Sequence, residues 1–252
     1  MLCHSAASLA RGAGPAAAAM DGTRQHTQQP IVTGTSVLGI KFKDGVMLAA
    51  DTLASYGSLA RYKSVERIKT VGQSTLVGAS GEYSDFQHIM QELEDNHQYD
   101  VNMDDGFERS PAEIYNLLRT IMYNRRNKFD PLWNYLLIAG CKKDGTPFLG
   151  YVDHIGTCFE DNILATGFGG HLAIPILRKK WRPDLEEGEA RALLEDCMRV
   201  LFYRDCRALN RIQIAKATAE GTAISDPYTV DTSWSLGSFA QPKAGADTDG
   251  SW

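Results

Sequence analysis

Cysteine and histidine, the side chains that most often hold metals or form covalent links, are few in this sequence and widely spaced. The five cysteines are Cys3, Cys141, Cys158, Cys197 and Cys206, an odd number with no CxxC pair. This usage predicts reduced, mostly buried thiols in a protein of the cytoplasm and nucleus, rather than the disulfide framework of a small secreted chain. The six histidines form no HExxH motif and no Cys/His cluster with zinc spacing. We therefore expect no metal site and no cofactor.

Composition excludes several other classes of protein. The chain has 252 residues, of which 43% are hydrophobic and 23% charged, as in globular domains and unlike disordered chains. It carries 31 acidic and 26 basic side chains, a formal net charge of −5. Nucleic acid and anionic membranes attract basic proteins, so neither is an expected partner. No apolar run approaches the roughly 20 residues that a membrane span needs.

Two short strings resemble ligand-binding motifs when they are taken alone. Gly167-Phe168-Gly169-Gly170 lacks the GxGxxG spacing of a dinucleotide-binding turn, so it predicts no nucleotide site. The basic string at 123–128, YNRRNK, could contact nucleic acid, but the chain is acidic overall. We interpret it as the solvated end of a helix, where the helix dipole favours positive charge.

The periodicity of apolar residues predicts strands, two helices, strands, two helices and strands again. The predicted strands are 36–42, 46–51, 74–79, 135–141, 148–153, 157–160, 212–218 and 222–224, and the predicted helices are 83–99, one beginning after Ser110, 170–181 and 187–204. Ser110, Pro111 and Glu113 have the types of an N-cap, a first-turn proline and a capping-box partner. Paired helices between blocks of strands do not fit a parallel βαβ alternation. The order predicts an α+β fold, a four-layer αββα sandwich of two antiparallel sheets.

The chain also divides by composition along its length. The first 26 residues are rich in Ala, Gly and Ser, with Arg11, Arg24 and one acid, Asp21. A leader that is removed by processing and a mitochondrial transit peptide both fit this composition, whereas a secretory signal would need an uninterrupted apolar run. We expect a leader at 1–26, a folded domain at 27–230 and a partly flexible tail at 231–252.

The most informative stretch begins at Gly34. The string 34–42, GTSVLGIKF, followed by 45–51, GVMLAAD, resembles the amino-terminal segment of proteasome beta subunits, which are N-terminal-nucleophile hydrolases. The resemblance extends over about 27–224, because it includes the turns at 78–81, 165–169 and 203–205. One subunit type of that family is similar in three further segments, 27–34, 55–61 and 131–134. The resemblance implies the αββα fold. It also implies a place in one of two seven-membered beta rings, between two alpha rings, in a particle of 28 subunits that degrades intracellular proteins.

The resemblance assigns roles to particular residues. In catalytic members, self-cleavage after a glycine exposes a threonine, whose hydroxyl attacks the substrate while its freed amine accepts the proton. The nucleophile here would be Thr35, after Gly34, and the accompanying aspartates would be Asp51 and Asp205. The lysine of the family is replaced by Arg67, which cannot relay protons. Two serines of the family are also missing, because Phe168 and Ala208 stand in their places.

Processing gives a second argument about the same site. In this subunit type the leader is removed before Thr27, which would leave 27–34 ahead of Thr35. The nitrogen of Thr35 would then remain in a peptide bond and would not be basic. We predict a non-catalytic subunit with a vestigial site of Thr35, Asp51, Arg67 and Asp205, in which Arg67 pairs with one of the two aspartates. The alternative is an active threonine-type endopeptidase with Thr35 as its nucleophile.

The resemblance also predicts how the chain assembles. Its partners would be the flanking beta subunits, the opposite beta ring and the alpha-ring subunits. We expect the segment 229–239, which carries Trp234, to contact the opposite ring, and the residues from Gln241 onward to be disordered.

Overall fold

The structure is a computed structural model and describes residues 29–235. Between these limits the strands are β1 (Val32–Gly34), β2 (Val37–Phe42), β3 (Gly45–Asp51), β4 (Ala54–Tyr56), β5 (Leu59–Tyr62), β6 (Ile68–Val71), β7 (Thr75–Glu82), β8 (Asn134–Cys141), β9 (Pro147–Val152), β10 (Cys158–Glu160), β11 (Ile163–Ala165), β12 (Ile212–Thr218) and β13 (Gly221–Ile224). The helices are α1 (Tyr83–Met103), α2 (Pro111–Asn127), α3 (Gly169–Leu172), α4 (Ile174–Lys180) and α5 (Glu187–Arg204). The predicted leader and the tail beyond Ser235 lie outside the described residues.

The strands form two antiparallel sheets. In sheet A the order is β10-β9-β8-β7-β1-β4-β5, with β6 also paired to β7, and in sheet B it is β11-β2-β3-β12-β13. Three clusters of buried apolar residues separate the layers. One lies between the two sheets, one between sheet A and α1 and α2, and one between sheet B and the helices α3 to α5. The predicted four-layer αββα sandwich is therefore confirmed.

Local signals place α2 accurately. Ser110 Oγ accepts a hydrogen bond from the Glu113 N–H, and the Glu113 carboxylate accepts one from the Ser110 N–H at 2.7 Å. This capping box satisfies two of the amide groups that a helix leaves unpaired at its start. The basic string at 123–128 lies at the other end of α2, as expected, with Arg125 and Arg126 in the last turn.

The sequence-based boundaries are wrong in three respects. The first predicted helix ends at Tyr99, whereas α1 continues to Met103. The predicted helix at 170–181 is divided at Ala173 into α3 and α4, because Pro175 has no N–H to donate to the preceding turn. The short strands β1, β4, β5, β6 and β11 have only three or four residues each and show too little alternation to be predicted. Of these, β1 and β6 flank the candidate site. None of the helices between residues 29 and 235 is long and apolar enough to cross a membrane.

Candidate functional site

The chain enters the candidate site through β1, which leads directly into Thr35. β1 lies inside sheet A between two strands, pairing Thr33 with Ser55 of β4 and Gly34 with Gly81 of β7. Among the described strands, β4 pairs only with β1 and β5. The three residues before Thr35 therefore join the β4–β5 hairpin to the rest of sheet A.

A buried carboxylate holds the start of this strand. Glu82, at the end of β7, is only 8% exposed, and its Oε2 accepts hydrogen bonds from the Ile31 N–H and, at 3.0 Å, from the Val32 N–H. Its Oε1 accepts a further bond from the Ser84 hydroxyl at 2.9 Å. Charge-assisted hydrogen bonds of this kind are stronger than those between neutral groups. The residues from Ile31 to Gly34 are thus anchored ahead of Thr35.

Arg67 fills the centre of the site and is 2% exposed. It precedes β6 and directs its guanidinium group at five acceptors. Four are backbone carbonyl oxygens, those of Asp51 (2.9 Å), Thr35 (2.7 Å), Ser36 (2.8 Å) and Ala79 (3.3 Å), and the fifth is the Asp51 carboxylate. The expected ion pair of Arg67 is therefore present, and its partner is Asp51. A planar fork with five donors suits this arrangement, whereas a lysine ammonium has three donors at one point.

Asp51 ends β3 and is as deeply buried as its partner. Its Oδ1 receives the Arg67 guanidinium, and its Oδ2 accepts a hydrogen bond from the Leu209 N–H at 2.9 Å. Burial raises the pKa of Asp51 above its ordinary value, and the Arg67 charge and the Leu209 amide offset part of this. Each oxygen of this carboxylate thus has a structural partner, and the Thr35 hydroxyl donates its hydrogen bond elsewhere.

The Thr35 hydroxyl points to the other aspartate. Thr35 is half-buried, and its Oγ1 donates a hydrogen bond to Asp205 Oδ2 at 2.6 Å. Asp205 caps the end of α5, and its Oδ1 accepts a bond from the Arg207 N–H at 2.9 Å. The four predicted site residues therefore meet. Their side chains form two pairs, Arg67 with Asp51 and Thr35 with Asp205, and Arg67 also donates to the Thr35 carbonyl oxygen.

Gly34 is required by the close approach of Arg67. A Cβ atom at this position would lie 2.6 Å from Arg67 Cδ and 2.8 Å from its Nη1, well inside van der Waals contact. The facing Gly81 has a φ of +91° and passes so close to the Trp133 carbonyl that a Cβ would be 2.1 Å from its oxygen. The glycine before Thr35 thus has a packing role beside any role in processing.

The two positions where the family has serines contribute no polar group to the site. Phe168 lies in the turn that joins β11 to α3, and 55% of its surface is exposed. The turn is held instead by Ser36 Oγ, which accepts from the Gly169 N–H at 2.9 Å, and by Thr166 Oγ1, which accepts from the Val37 N–H at 2.8 Å. Ala208 has only a methyl side chain.

Other chemistry predicted or excluded from the sequence can also be located. Between residues 29 and 235 no group of three or more His, Cys, Asp and Glu side chains could hold a metal ion. The four cysteines in that range are free thiols, of which Cys141 and Cys197 are buried, Cys158 is half-buried and Cys206 is exposed. The prediction of buried thiols is thus right for two of these four.

The four-layer sandwich is the fold that the sequence resemblance implied, and Gly34 and Thr35 lie where the chain passes from β1 of sheet A to β2 of sheet B. The chain belongs to the proteasome subunit family, since the family model described as Proteasome subunit matches residues 31–217. It is 53% identical over 228 residues to the proteasome subunit beta type-4 of Arabidopsis thaliana, covering 90% of this chain and 92% of the relative. It is 50% identical over 222 residues to the beta type-4 subunit of Dictyostelium discoideum, covering 87% and 85%. With the probable beta type-7 subunit of Schizosaccharomyces pombe it shares 45% identity over 234 residues, covering 90% and 88%.

Sequence reasoning missed one residue of the site. Glu82 anchors the segment before Thr35 through two backbone amides, yet it resembles any acidic residue that follows a strand. The available signal was its position next to Gly81, at the boundary between β7 and α1. That signal could not show which amides the carboxylate would meet, because they come from residues about 50 positions earlier in the chain.

Proposed function

We propose that this chain is a non-catalytic beta subunit of the 20S proteasome core, of the beta type-4 kind that occupies the beta-7 position. It builds the beta ring and contributes to the contact between rings in the particle that degrades intracellular proteins. The family match and the identity to two beta type-4 subunits support the assignment to the core.

The observation that carries this proposal is the position of β1, which lies inside sheet A directly ahead of Thr35. An N-terminal threonine nucleophile needs a free amine as its proton acceptor. In the uncut chain the nitrogen of Thr35 forms a peptide bond with Gly34, the last residue of a strand that lies between β4 and β7. An amide nitrogen is not basic, because its lone pair is delocalised into the carbonyl group. Cleavage at Gly34 would also detach the strand that joins the β4–β5 hairpin to sheet A.

The environment of the hydroxyl supports the same conclusion. Arg67 stands where the resemblance implies a lysine, and its hydrogen bonds go to four carbonyl oxygens and the Asp51 carboxylate. A guanidinium, unlike a lysine amine, does not act as a proton acceptor for a hydroxyl group at neutral pH. The site therefore has the form of the catalytic one, but its charged groups stabilise the fold.

One observation favours the alternative, an active threonine-type endopeptidase with Thr35 as nucleophile. The 2.6 Å hydrogen bond from Thr35 Oγ1 to Asp205 gives the hydroxyl a carboxylate partner that could accept its proton. This partner alone does not supply the free amine, so the alternative requires that the chain be cut after Gly34.

The mature amino terminus distinguishes the two functions. We expect intact-mass analysis and amino-terminal sequencing of the purified particle to place the start of this subunit at Thr27, so that β1 is retained. A matched variant, Thr35→Ala, should show the same terminus and the same peptidase activities of the whole particle. A start at Thr35, or a loss of one peptidase activity in Thr35→Ala, would overturn the proposal.

Assembly follows from the same proposal. The subunit would contact the flanking beta subunits, the opposite beta ring and alpha-ring subunits in a particle of 28 subunits in the cytoplasm and nucleus. The described start of the tail fits a contact between rings. Arg199 Nε donates to the Asp231 carbonyl at 2.7 Å, the Ser233 N–H donates to Tyr203 Oη at 2.7 Å, and Trp234 packs edge-on against the Tyr203 ring. Trp234 is nevertheless 64% exposed, which leaves an aromatic face for a partner.

A further inference from the structure

The end of α1 exposes an unusual number of apolar side chains. The last turns of the helix carry Tyr99 (59% exposed), Val101 (54%) and Met103 (53%), and the following loop carries Phe107 (49%). Single exposed apolar residues are ordinary, but four within nine residues concentrate apolar surface at one place. We call the segment from Tyr99 to Phe107 the α1 end.

The helix α1 and the loop that follows it, which include the α1 end, are negatively charged. Between Tyr83 and Glu108 the chain has no lysine or arginine, and its eight acidic residues are Asp85, Glu92, Glu94, Asp95, Asp100, Asp104, Asp105 and Glu108. Asp100 is paired with Arg109 through a contact of 2.8 Å. Asp104 and Asp105, both exposed, immediately follow the last residue of α1.

This arrangement opposes the preferences of an isolated helix. A helix C-terminus carries about half a negative charge, so a carboxylate there is unfavourable. The helices α2, α4 and α5 follow the rule with basic residues in their last turns, whereas α1 has none. Asp104 also adopts a left-handed conformation, with φ of +52°, that glycine adopts at lower cost. Local rules that are broken together usually mark a site with another function.

We propose that the α1 end is a docking surface for a basic segment of a neighbouring subunit, one that presents lysine or arginine together with apolar side chains. This inference rests on the proposed function, because it requires the chain to join a particle. The partner's cations would offset the carboxylates of Asp104 and Asp105 and the negative end of the helix. Its apolar side chains would cover Tyr99 and Met103, which lie four residues apart on one side of the helix. Charge complementarity therefore selects a basic protein segment and disfavours nucleic acid and anionic lipid.

The test uses variants that leave the isolated helix at least as stable as before. Asp104→Asn with Asp105→Asn removes two negative charges from a helix C-terminus, and asparagine tolerates both the left-handed conformation and the loop bond that Asp105 makes to the Phe107 N–H. Asp104→Lys reverses the charge. Glu220→Lys, at the exposed β12–β13 turn, is the matched control. Each tagged variant competes with the untagged chain for incorporation into the particle, measured by native mass spectrometry.

We expect the double asparagine variant and Asp104→Lys to be incorporated about tenfold less at low salt, with a smaller difference at high salt because screening weakens charge pairs. Glu220→Lys should match the untagged chain. Incorporation of both α1 variants at the control level would overturn the docking surface while leaving the proposed function intact. Failure of the unsubstituted chain to enter any particle would instead overturn the proposed function. Tyr99→Ser with Met103→Ser should reduce incorporation at both salt concentrations, since apolar burial is not screened.

Discussion

Replacing Arg67 by methionine should expose how strongly the candidate site depends on one buried ion pair. The substitution keeps an unbranched chain of similar length but removes every donor that Arg67 directs at Asp51 and at four carbonyl oxygens. Removing one partner of a buried pair costs about 3–5 kcal/mol, because the other charge remains buried and uncompensated. We therefore expect Arg67→Met to destabilise the region between β3 and β7 by at least about 3 kcal/mol.

The second substitution isolates the contribution of charge. Adding Asp51→Asn removes the stranded carboxylate yet keeps an oxygen that can accept the Leu209 N–H bond. The double variant should be more stable than Arg67→Met alone by about 2 kcal/mol, within the range of coupling energies for residues in contact. It should remain less stable than the original chain, because the carbonyl oxygens of Thr35 and Ser36 still lack their donor.

The destabilisation by Arg67→Met should depend on pH in a direction that can be worked out from Asp51. Burial already raises the pKa of Asp51, and loss of the Arg67 charge would raise it further. A carboxyl group whose pKa is higher in the folded state than in the unfolded state stabilises the fold at low pH, and this stabilisation is lost as the pH rises through the folded-state value. The defect of Arg67→Met should therefore grow as the pH rises through the raised pKa of Asp51 and diminish below it. The double variant should lack this dependence.

Hydrogen exchange on the assembled particle measures these changes locally. A loss of about 3 kcal/mol corresponds to roughly 100-fold faster exchange of the amides in β3 and in residues 205–212, relative to the original chain at the same pH. Lys180→Met is the matched control, since it breaks an exposed pair with Asp196 and should cost only about 0.2–1 kcal/mol. A defect equal to that of the control, or one that Asp51→Asn worsens, would refute this account of the site.

Three further changes probe packing, helix capping and the buried thiols. Gly34→Ala should lower the stability of the fold by about 1–3 kcal/mol, because the added Cβ forces the Arg67 side chain aside. Gly188→Ala is the control and should be neutral or stabilising, because a Cβ there meets nothing within 4 Å. Equal thermal stability of the two variants would contradict the packing role of Gly34. Ser110→Ala should lower the stability of α2 by about 1 kcal/mol, seen as faster hydrogen exchange in its first two turns, while Ser110→Thr should retain most of the protection. Burial raises the pKa of Cys197 to about 12 and also raises that of Cys141, so alkylation by iodoacetamide at pH 8 should reach both only after denaturation. Labelling of Cys197 in the native particle would show that this thiol is accessible.

The layers of the fold and much of the site could be predicted because their signals are local. The apolar period of α2 and its Ser110–Glu113 capping box identify the helix from adjacent residues alone. Paired helices between blocks of strands exclude a parallel sheet. The position of Arg67 within a recognisable family pattern was enough to predict an ion pair with one of two aspartates.

The amino-acid sequence by itself thus determined the four-layer architecture, the position of Thr35 after Gly34 and the replacement of a lysine by Arg67. Only the tertiary structure decided which aspartate each group meets, with Asp51 bound to Arg67 and Asp205 bound to the Thr35 hydroxyl. It also placed β1 inside sheet A, where Glu82 holds its amides. The physical reason is distance along the chain. Side-chain periodicity reports which face of an element is buried, but it does not report which distant segment that face will meet. The acceptors gathered around Arg67 come from segments that meet only when β1, β3 and β7 take their places in the two sheets.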